Sequence, residues 1–274
     1  MTRTIVTLVA VLLAGSSACR PKPPTLDKPT IVEVSLGDYF FHSPDTIPAG
    51  RVTFRLNVIG TDGHVMDLIR LDQGKTLKDL MAAGEGVADS AWARSVGGGV
   101  SATEGNSPSY TLALIPGRYV MLCYFGDSTH VPHFAKGMIK EVIVTEAAAL
   151  AVQPPADLEI RTIDYGYEFS TPLKAGTRTI AVVNPSHQGH EVIMGRLKDG
   201  FTVEQARAHD DSTDPKGVSP WELSGGVGDL APGDTILMNA AFKPGTYRLY
   251  CYFSVAGDSL NHYQHGMHQI ITVD

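Results

Sequence analysis

The sequence predicts an all-β chain: one small β-sandwich unit written twice, each copy carrying a short helical insertion. Three observations carry that expectation. Glycine (28) and proline (17) are abundant, which supplies turns for many short strands. Apolar and polar residues alternate along Val52-Thr-Phe-Arg-Leu-Asn-Val58 and again from Arg118 to Leu122, the period of a half-buried strand. A set of landmarks also recurs at a nearly constant interval, the mark of an internal repeat.

The repeat can be followed element by element. Gly63-His64 opens the apolar run GHVMDLIRL, and Gly189-His190 opens GHEVIMGRL. Thr76-Leu-Lys-Asp79 and Thr202-Val-Glu-Gln205 each read as a helix start, the second as a capping box in which Thr and Gln cap each other's backbone N–H groups. Ser90-Ala-Trp92 and Ser219-Pro-Trp221 each precede a glycine-rich stretch. Pro116-Gly117-Arg-Tyr119 leads to Cys123, and Pro244-Gly245-Thr-Tyr247 leads to Cys251. His133-Phe-Ala-Lys-Gly137-Met138 matches His262-Tyr-Gln-His-Gly266-Met267. The offset is 126 at the first His, 128 at the Cys, and 129 at the second His and the Met, so the spacing drifts by only three residues.

Composition narrows the function classes. A 274-residue chain with 43% hydrophobic residues can bury a substantial core. Its formal charge of −7 disfavours nucleic acid, because neutralising phosphates needs a basic surface. Three cysteines are too few for a disulfide-stapled scaffold. The apolar run after Arg3 has the length of a secretory leader, too short to span a bilayer. The stretch Ser16-Ser17-Ala18-Cys19 resembles a bacterial lipobox, although Ser16 stands where Leu is usual. The expected division is a leader over 1–18, a proline-rich tether over 19–30 beginning at a lipid-bearing Cys19, unit one over 31–146, a linker over 147–157 and unit two over 158–274. The mature protein is expected outside the cytoplasm, anchored to a bacterial membrane.

Each unit repeats one chemically coherent set: His64, Cys123, His133 and Met138, then His190, Cys251, His262 and Met267. Two imidazoles, a thiolate and a weak thioether form the donor set of a blue copper centre. One copper per unit is therefore expected. Blander readings stay open. The cysteines could be small buried hydrophobes or a Cys123–Cys251 disulfide, the first histidines strand ends, and the methionines core filler. His130 competes with His133, but only His133 lies in the repeated His-x-x-x-Gly-Met frame. His187, His265 and His268 crowd unit two and read as a looser metal site or as surface histidines.

On these motifs each unit resembles a cupredoxin: the apolar run after the first His, the Pro-Gly-x-Tyr-x-x-x-Cys strand, and the His-x-x-x-Gly-Met ending before a final strand. The resemblance implies two tandem cupredoxin-like Greek-key β-sandwich domains with type 1-like copper. It implies electron transfer with a redox protein or copper-handling partner; copper storage or delivery, and a metal-free partner-binding module, are the alternatives. Nine residues separate Cys123 from His133 and ten separate Cys251 from His262, longer than in small electron carriers and closer to copper nitrite reductases. A loop of that length is expected to hold its ligands less firmly. Nitrite reductases and multicopper oxidases place a His beside the cysteine ligand. Here Leu122 and Tyr124, or Tyr250 and Tyr252, stand there, so an enzyme is not the expected reading.

Overall fold

A computed structural model describes residues 25–26, 28–84, 91–101, 107–146, 150–212, 217–254 and 257–274. The leader, Cys19 and most of the tether lie outside the described residues. The first half contains β1 (Thr25–Leu26), β2 (Thr30–Gly37), β3 (Phe40–His42), β4 (Thr46–Pro48), β5 (Gly50–Val58), β6 (His64–Leu71), α1 (Leu77–Ala83), β7 (Ala93–Ser101), β8 (Ser109–Leu114), β9 (Gly117–Leu122) and β10 (Ile139–Thr145). The second contains β11 (Leu150–Ala151), β12 (Leu158–Ile163), β13 (Gly166–Phe169), β14 (Gly176–Val183), β15 (His190–Leu197), α2 (Val203–Asp210), β16 (Trp221–Leu230), β17 (Thr235–Phe242), β18 (Gly245–Tyr250) and β19 (His268–Val273).

The strands form two packed sheets, and both run through both halves. One has nine strands in the order β19-β18-β15-β16-β7-β6-β9-β10-β4; the other has eight in the order β13-β12-β14-β17-β8-β5-β2-β3. The halves meet where like pairs with like: β7 lies antiparallel to β16, and β8 to β17. Duplicated units joined through equivalent strands are related by an approximate twofold, as in an isologous dimer. A small parallel pair, β1 with β11, ties the end of the tether to the segment between the halves.

The strand alternation has its expected cause in β5. Val52, Phe54, Leu56 and Val58 point into the core, while Thr53, Arg55 and Asn57 point away. Each fully buried apolar side chain of this size contributes about 1.5–3 kcal/mol relative to exposure. In β9 the alternation fails: Tyr119, Val120 and Met121 are buried in succession. The reason is α1, which covers the outer face of the nine-stranded sheet and packs Leu80 with Ile69, Leu71, Ala93 and Val120 in a satellite core. Both helices start as the sequence predicts. Thr76 with Asp79, and Thr202 with Gln205, form reciprocal capping boxes.

The glycine-rich stretches are the seam between the halves. At Gly98 a Cβ would lie 1.7 Å from the Met66 carbonyl oxygen, and at Gly226 it would lie 2.1 Å from that of Val192. Only a residue without a side chain lets β6–β7 and β15–β16 approach so closely. Among the described residues, no helix is long and apolar enough to cross a membrane.

Candidate metal centre

Each half brings its two histidines and its cysteine to one buried point. His64 begins β6, Cys123 follows β9, and His133 opens a single helical turn over His133–Lys136. His133 Nδ1 lies 3.5 Å from Cys123 Sγ and 3.3 Å from His64 Nδ1. In the second half His262 Nδ1 lies 3.5 Å from Cys251 Sγ and 3.1 Å from His190 Nδ1. The three donor atoms of each set lie within 4.8 Å of one another. Both cysteines are free thiols, so no disulfide joins the repeats.

Local geometry explains the motif spacing. The turn after His133 ends at Gly137, whose φ of 109° favours glycine, and the chain doubles back so that Met138 N–H donates to the His133 carbonyl at 3.0 Å. Gly266, with φ 100°, does the same, and Met267 N–H reaches the His262 carbonyl at 2.8 Å. Cys123 N–H then donates to the Met138 carbonyl, and Cys251 N–H to that of Met267. Met138 and Met267 are fully buried beside the cluster along the backbone. In both halves the N–H after the first histidine points at the sulfur: Val65 N–H at 3.4 Å from Cys123 Sγ and Glu191 N–H at 3.3 Å from Cys251 Sγ.

The long loops are cinched rather than loose. A β-bridge joins Gly126 to Pro132, and His133 N–H donates to the Phe125 carbonyl at 2.8 Å. Asp127 Oδ1 accepts from Thr129 and Val131 N–H, and its other oxygen pairs with Lys136. In the second half Ser254 bridges to Asn261, and Asn261 and Gln264 bond each other's N–H. His130 lies exposed on the first loop, outside the cluster. His187 and His268 are exposed, and His265 bonds Asp258 at 2.8 Å and stacks on Tyr165. Among the described residues these histidines form no further metal cluster.

One repeated element escapes the sequence reading. Asp38-Tyr39 and Asp164-Tyr165 recur at the same offset of 126 as the first histidines. Tyr39 and Tyr165 both take a left-handed backbone, φ 71° and 64°, a strained conformation for a bulky residue. Their rings meet His133 and His262 edge-on, with centroids 5.1 and 5.4 Å apart. Asp38 Oδ1 lies 3.7 Å from His64 Nε2, and Asp164 Oδ1 lies 3.8 Å from His190 Nε2. The shared Asp-Tyr offset was the available signal.

The electrostatics favour neutral donors. Burial pushes the Cys123 thiol up to about 11, partly opposed by the Val65 N–H. Burial and then the Glu191 charge push Cys251 further in the same direction. Burial holds the His64 imidazole down, helped by His133 beside it. Burial and His262 hold His190 down to about 4. Burial thus favours the neutral form of His64, His190 and His262, and a metal must displace the thiol proton to bind.

The donor set fits a copper ion. Metal–nitrogen bonds of about 2.0–2.1 Å and a metal–thiolate bond of about 2.3 Å in a trigonal plane set donor separations of about 3.5–3.8 Å. The His133 Nδ1–Cys123 Sγ and His262 Nδ1–Cys251 Sγ distances are both 3.5 Å, and the Nδ1–Nδ1 distances, 3.3 and 3.1 Å, are a few tenths of an ångström shorter than that range. Two ring nitrogens and a sulfur gathered within 4.8 Å in a dry core are an arrangement that a cation satisfies.

No protein-family model matches the chain, and no curated protein matches it. Solved structures do. A dithionite-reduced auracyanin from Roseiflexus castenholzii is 23% identical, covers 43% of this chain and 98% of its own, and superposes with a TM-score of 0.28. Auracyanin A, a blue copper protein of Chloroflexus aurantiacus, is 18% identical, covers 43% and 100%, and gives 0.30. A blue copper oxidase from Nitrosomonas europaea is 13% identical, covers 90% and 86%, and gives 0.23.

Proposed function

We propose that the chain is an exported copper protein that holds one copper in each cupredoxin-like half and exchanges single electrons with a redox partner, anchored to a membrane through Cys19. The observation that carries this reading is the convergence of Nδ1, Nδ1 and Sγ on one buried point, built twice from equivalent residues. His64, Cys123 and His133 would hold the metal in the first half, and His190, Cys251 and His262 in the second, with the buried Met138 and Met267 as candidate thioether donors. Bound copper would supply a one-electron couple at each site.

The protein's own residues do the rest. On binding metal, Cys123 and Cys251 would give up their protons, and the N–H groups of Val65 and Glu191, which point at the sulfurs, would stabilise the thiolate charge. The bridged loops and the sheet-borne first histidines hold the donors in place, so little reorganisation accompanies a change of charge. Core packing keeps water from the donors. The experiment is a Cu(II) titration of metal-free protein followed by visible absorption and metal analysis. Two coppers per chain with an intense thiolate–copper band are expected, falling to one in Cys123→Ser or Cys251→Ser and to none in the double variant. Protein that takes up no copper from a micromolar excess would end the reading.

A further inference from the structure

The residues that follow the two metal-facing cysteines meet on a single buried carboxylate. Tyr124, peptide-bonded to Cys123, donates its hydroxyl to Glu191 Oε1 at 2.7 Å. Tyr252, peptide-bonded to Cys251, donates its backbone N–H to Glu191 Oε2 at 2.8 Å. Glu191 is 4% exposed and directly follows His190. In the first half its place is taken by Val65, so one carboxylate serves both halves. Packing alone does not call for it, since burying a carboxylate is costly and an aliphatic side chain fills the equivalent position next door.

We propose that Tyr124 and Glu191 form an electron bridge through which the two centres exchange an electron within one chain. The proposal rests on the copper reading and deepens it. As one electron crosses, copper in one half goes from Cu(I) to Cu(II) and copper in the other from Cu(II) to Cu(I). No bond breaks, and no proton leaves Tyr124 or reaches Glu191. The path runs from Cys123 Sγ through the Cys123–Tyr124 peptide and the phenol ring, across one hydrogen bond to the carboxylate, and across a second to the Cys251–Tyr252 peptide. A branch runs along the Glu191 backbone, whose N–H donates to Cys251 Sγ. Cavities of about 600 and 560 Å³ flank the junction, both lined by Tyr124, Glu191 and Tyr252. The backbone ladders between β7 and β16 and between β8 and β17 also join the halves, but the Tyr124–Glu191 link starts at the residue next to one cysteine and ends at the residue next to the other. The seam strands on both sheets hold the two ends of the path together. The covalent His–Cys wiring that both halves lack is thus replaced by a hydrogen-bonded connection.

The test is pulse radiolysis of the copper-loaded full chain carrying Met138→Gln, a change of axial donor that separates the two centres in potential and spectrum. A radical reductant adds one electron, and redistribution between the centres is followed at both absorption bands. A redistribution phase independent of protein concentration is expected in this reference protein. Adding Tyr124→Phe, which removes only the hydroxyl, or Glu191→Val, which installs the first half's residue, should slow it at least about tenfold. Visible and EPR spectra of each variant show that both centres are loaded. An unchanged rate in both variants, or no concentration-independent phase in the reference protein, overturns the bridge while the copper reading stands. If no thiolate–copper band forms on loading, the copper reading fails first and the bridge falls with it.

Discussion

His190 and His262 face each other Nδ1 to Nδ1 across 3.1 Å, in a core where both rings are essentially out of contact with solvent. Burial and this neighbour hold the His190 pKa down at about 4, against 6.5 for an ordinary histidine. The native state therefore takes up this proton at lower pH than the unfolded chain does. The metal-free protein keeps the associated stability above pH 6.5 and loses it as pH falls from there through about 4. Full protonation costs on the order of 3 kcal/mol. His64 and His262, also held down by burial, act in the same sense. Thermal melts of metal-free protein should show Tm falling across that window, and copper, which occupies the same lone pairs, should move the fall to lower pH. A flat metal-free profile would contradict the neutral, inward-facing rings.

The two centres differ in how one histidine is held. His262 Nε2 lies 3.0 Å from Gln188 Oε1. A carbonyl oxygen there requires the ring proton on Nε2, which leaves the Nδ1 lone pair free for a metal. Among the described residues His133 Nε2 has no such hydrogen-bond partner; it lies 3.9 Å from Asp62 Oδ2. Gln188→Leu should therefore weaken copper binding in the second half by about 10–100-fold and leave the first half as an internal control. Competitive copper titration of the variant resolves the two sites. Equal affinities before and after the change would remove Gln188 from the orienting role.

Much of the site was legible because its residues are chemically unusual. Histidine, cysteine and methionine at repeated spacings leave a pattern that ordinary core residues do not, and the structure brings His64, Cys123 and His133, and His190, Cys251 and His262, together. The stiffness of the long loops was not legible. It arises from Asp127, Asn261 and Gln264 bonding the backbone and from single β-bridges, which no residue pattern announces. Asp38-Tyr39 escaped because its role depends on a left-handed tyrosine that only the folded backbone reveals. The glycine-rich strands escaped because strand propensity ranks glycine low, whereas the close approach of β7 to β6 and of β16 to β15 within each half demands it.

The Pro-Gly-x-Tyr turns give a third prediction. Tyr119 hydroxyl donates to the Ile115 carbonyl at 3.0 Å and accepts from its N–H, and Tyr247 does the same at Lys243. Each tyrosine pins the corner that starts the cysteine-bearing strand. Tyr119→Phe or Tyr247→Phe should each lower stability by about 1–2 kcal/mol, the worth of one or two buried hydrogen bonds. The aromatic core contact stays, so copper stoichiometry should remain at two while the urea midpoint falls. A midpoint that does not move would show that the corner holds without the hydroxyl.

The continuous sheets predict that the halves unfold together. Separating them would expose the edges of β7, β8, β16 and β17, rows of unpaired backbone groups in the middle of each sheet. The chain has two tryptophans, Trp92 in the first half and Trp221 in the second, so Trp92→Phe and Trp221→Phe leave one fluorescent reporter in either half. Urea transitions of the two variants should keep the same slope as a far-UV circular dichroism transition, and each should coincide with it in midpoint, as a single cooperative unit requires. Gly98→Ala should depress both reporters together. Its new methyl would sit 1.7 Å from the Met66 carbonyl oxygen, a backbone atom that cannot swing aside, so a loss of at least about 3 kcal/mol is expected. If one tryptophan reported an earlier transition in the Gly98→Ala protein while the other kept its midpoint, the halves would be independent domains that merely touch.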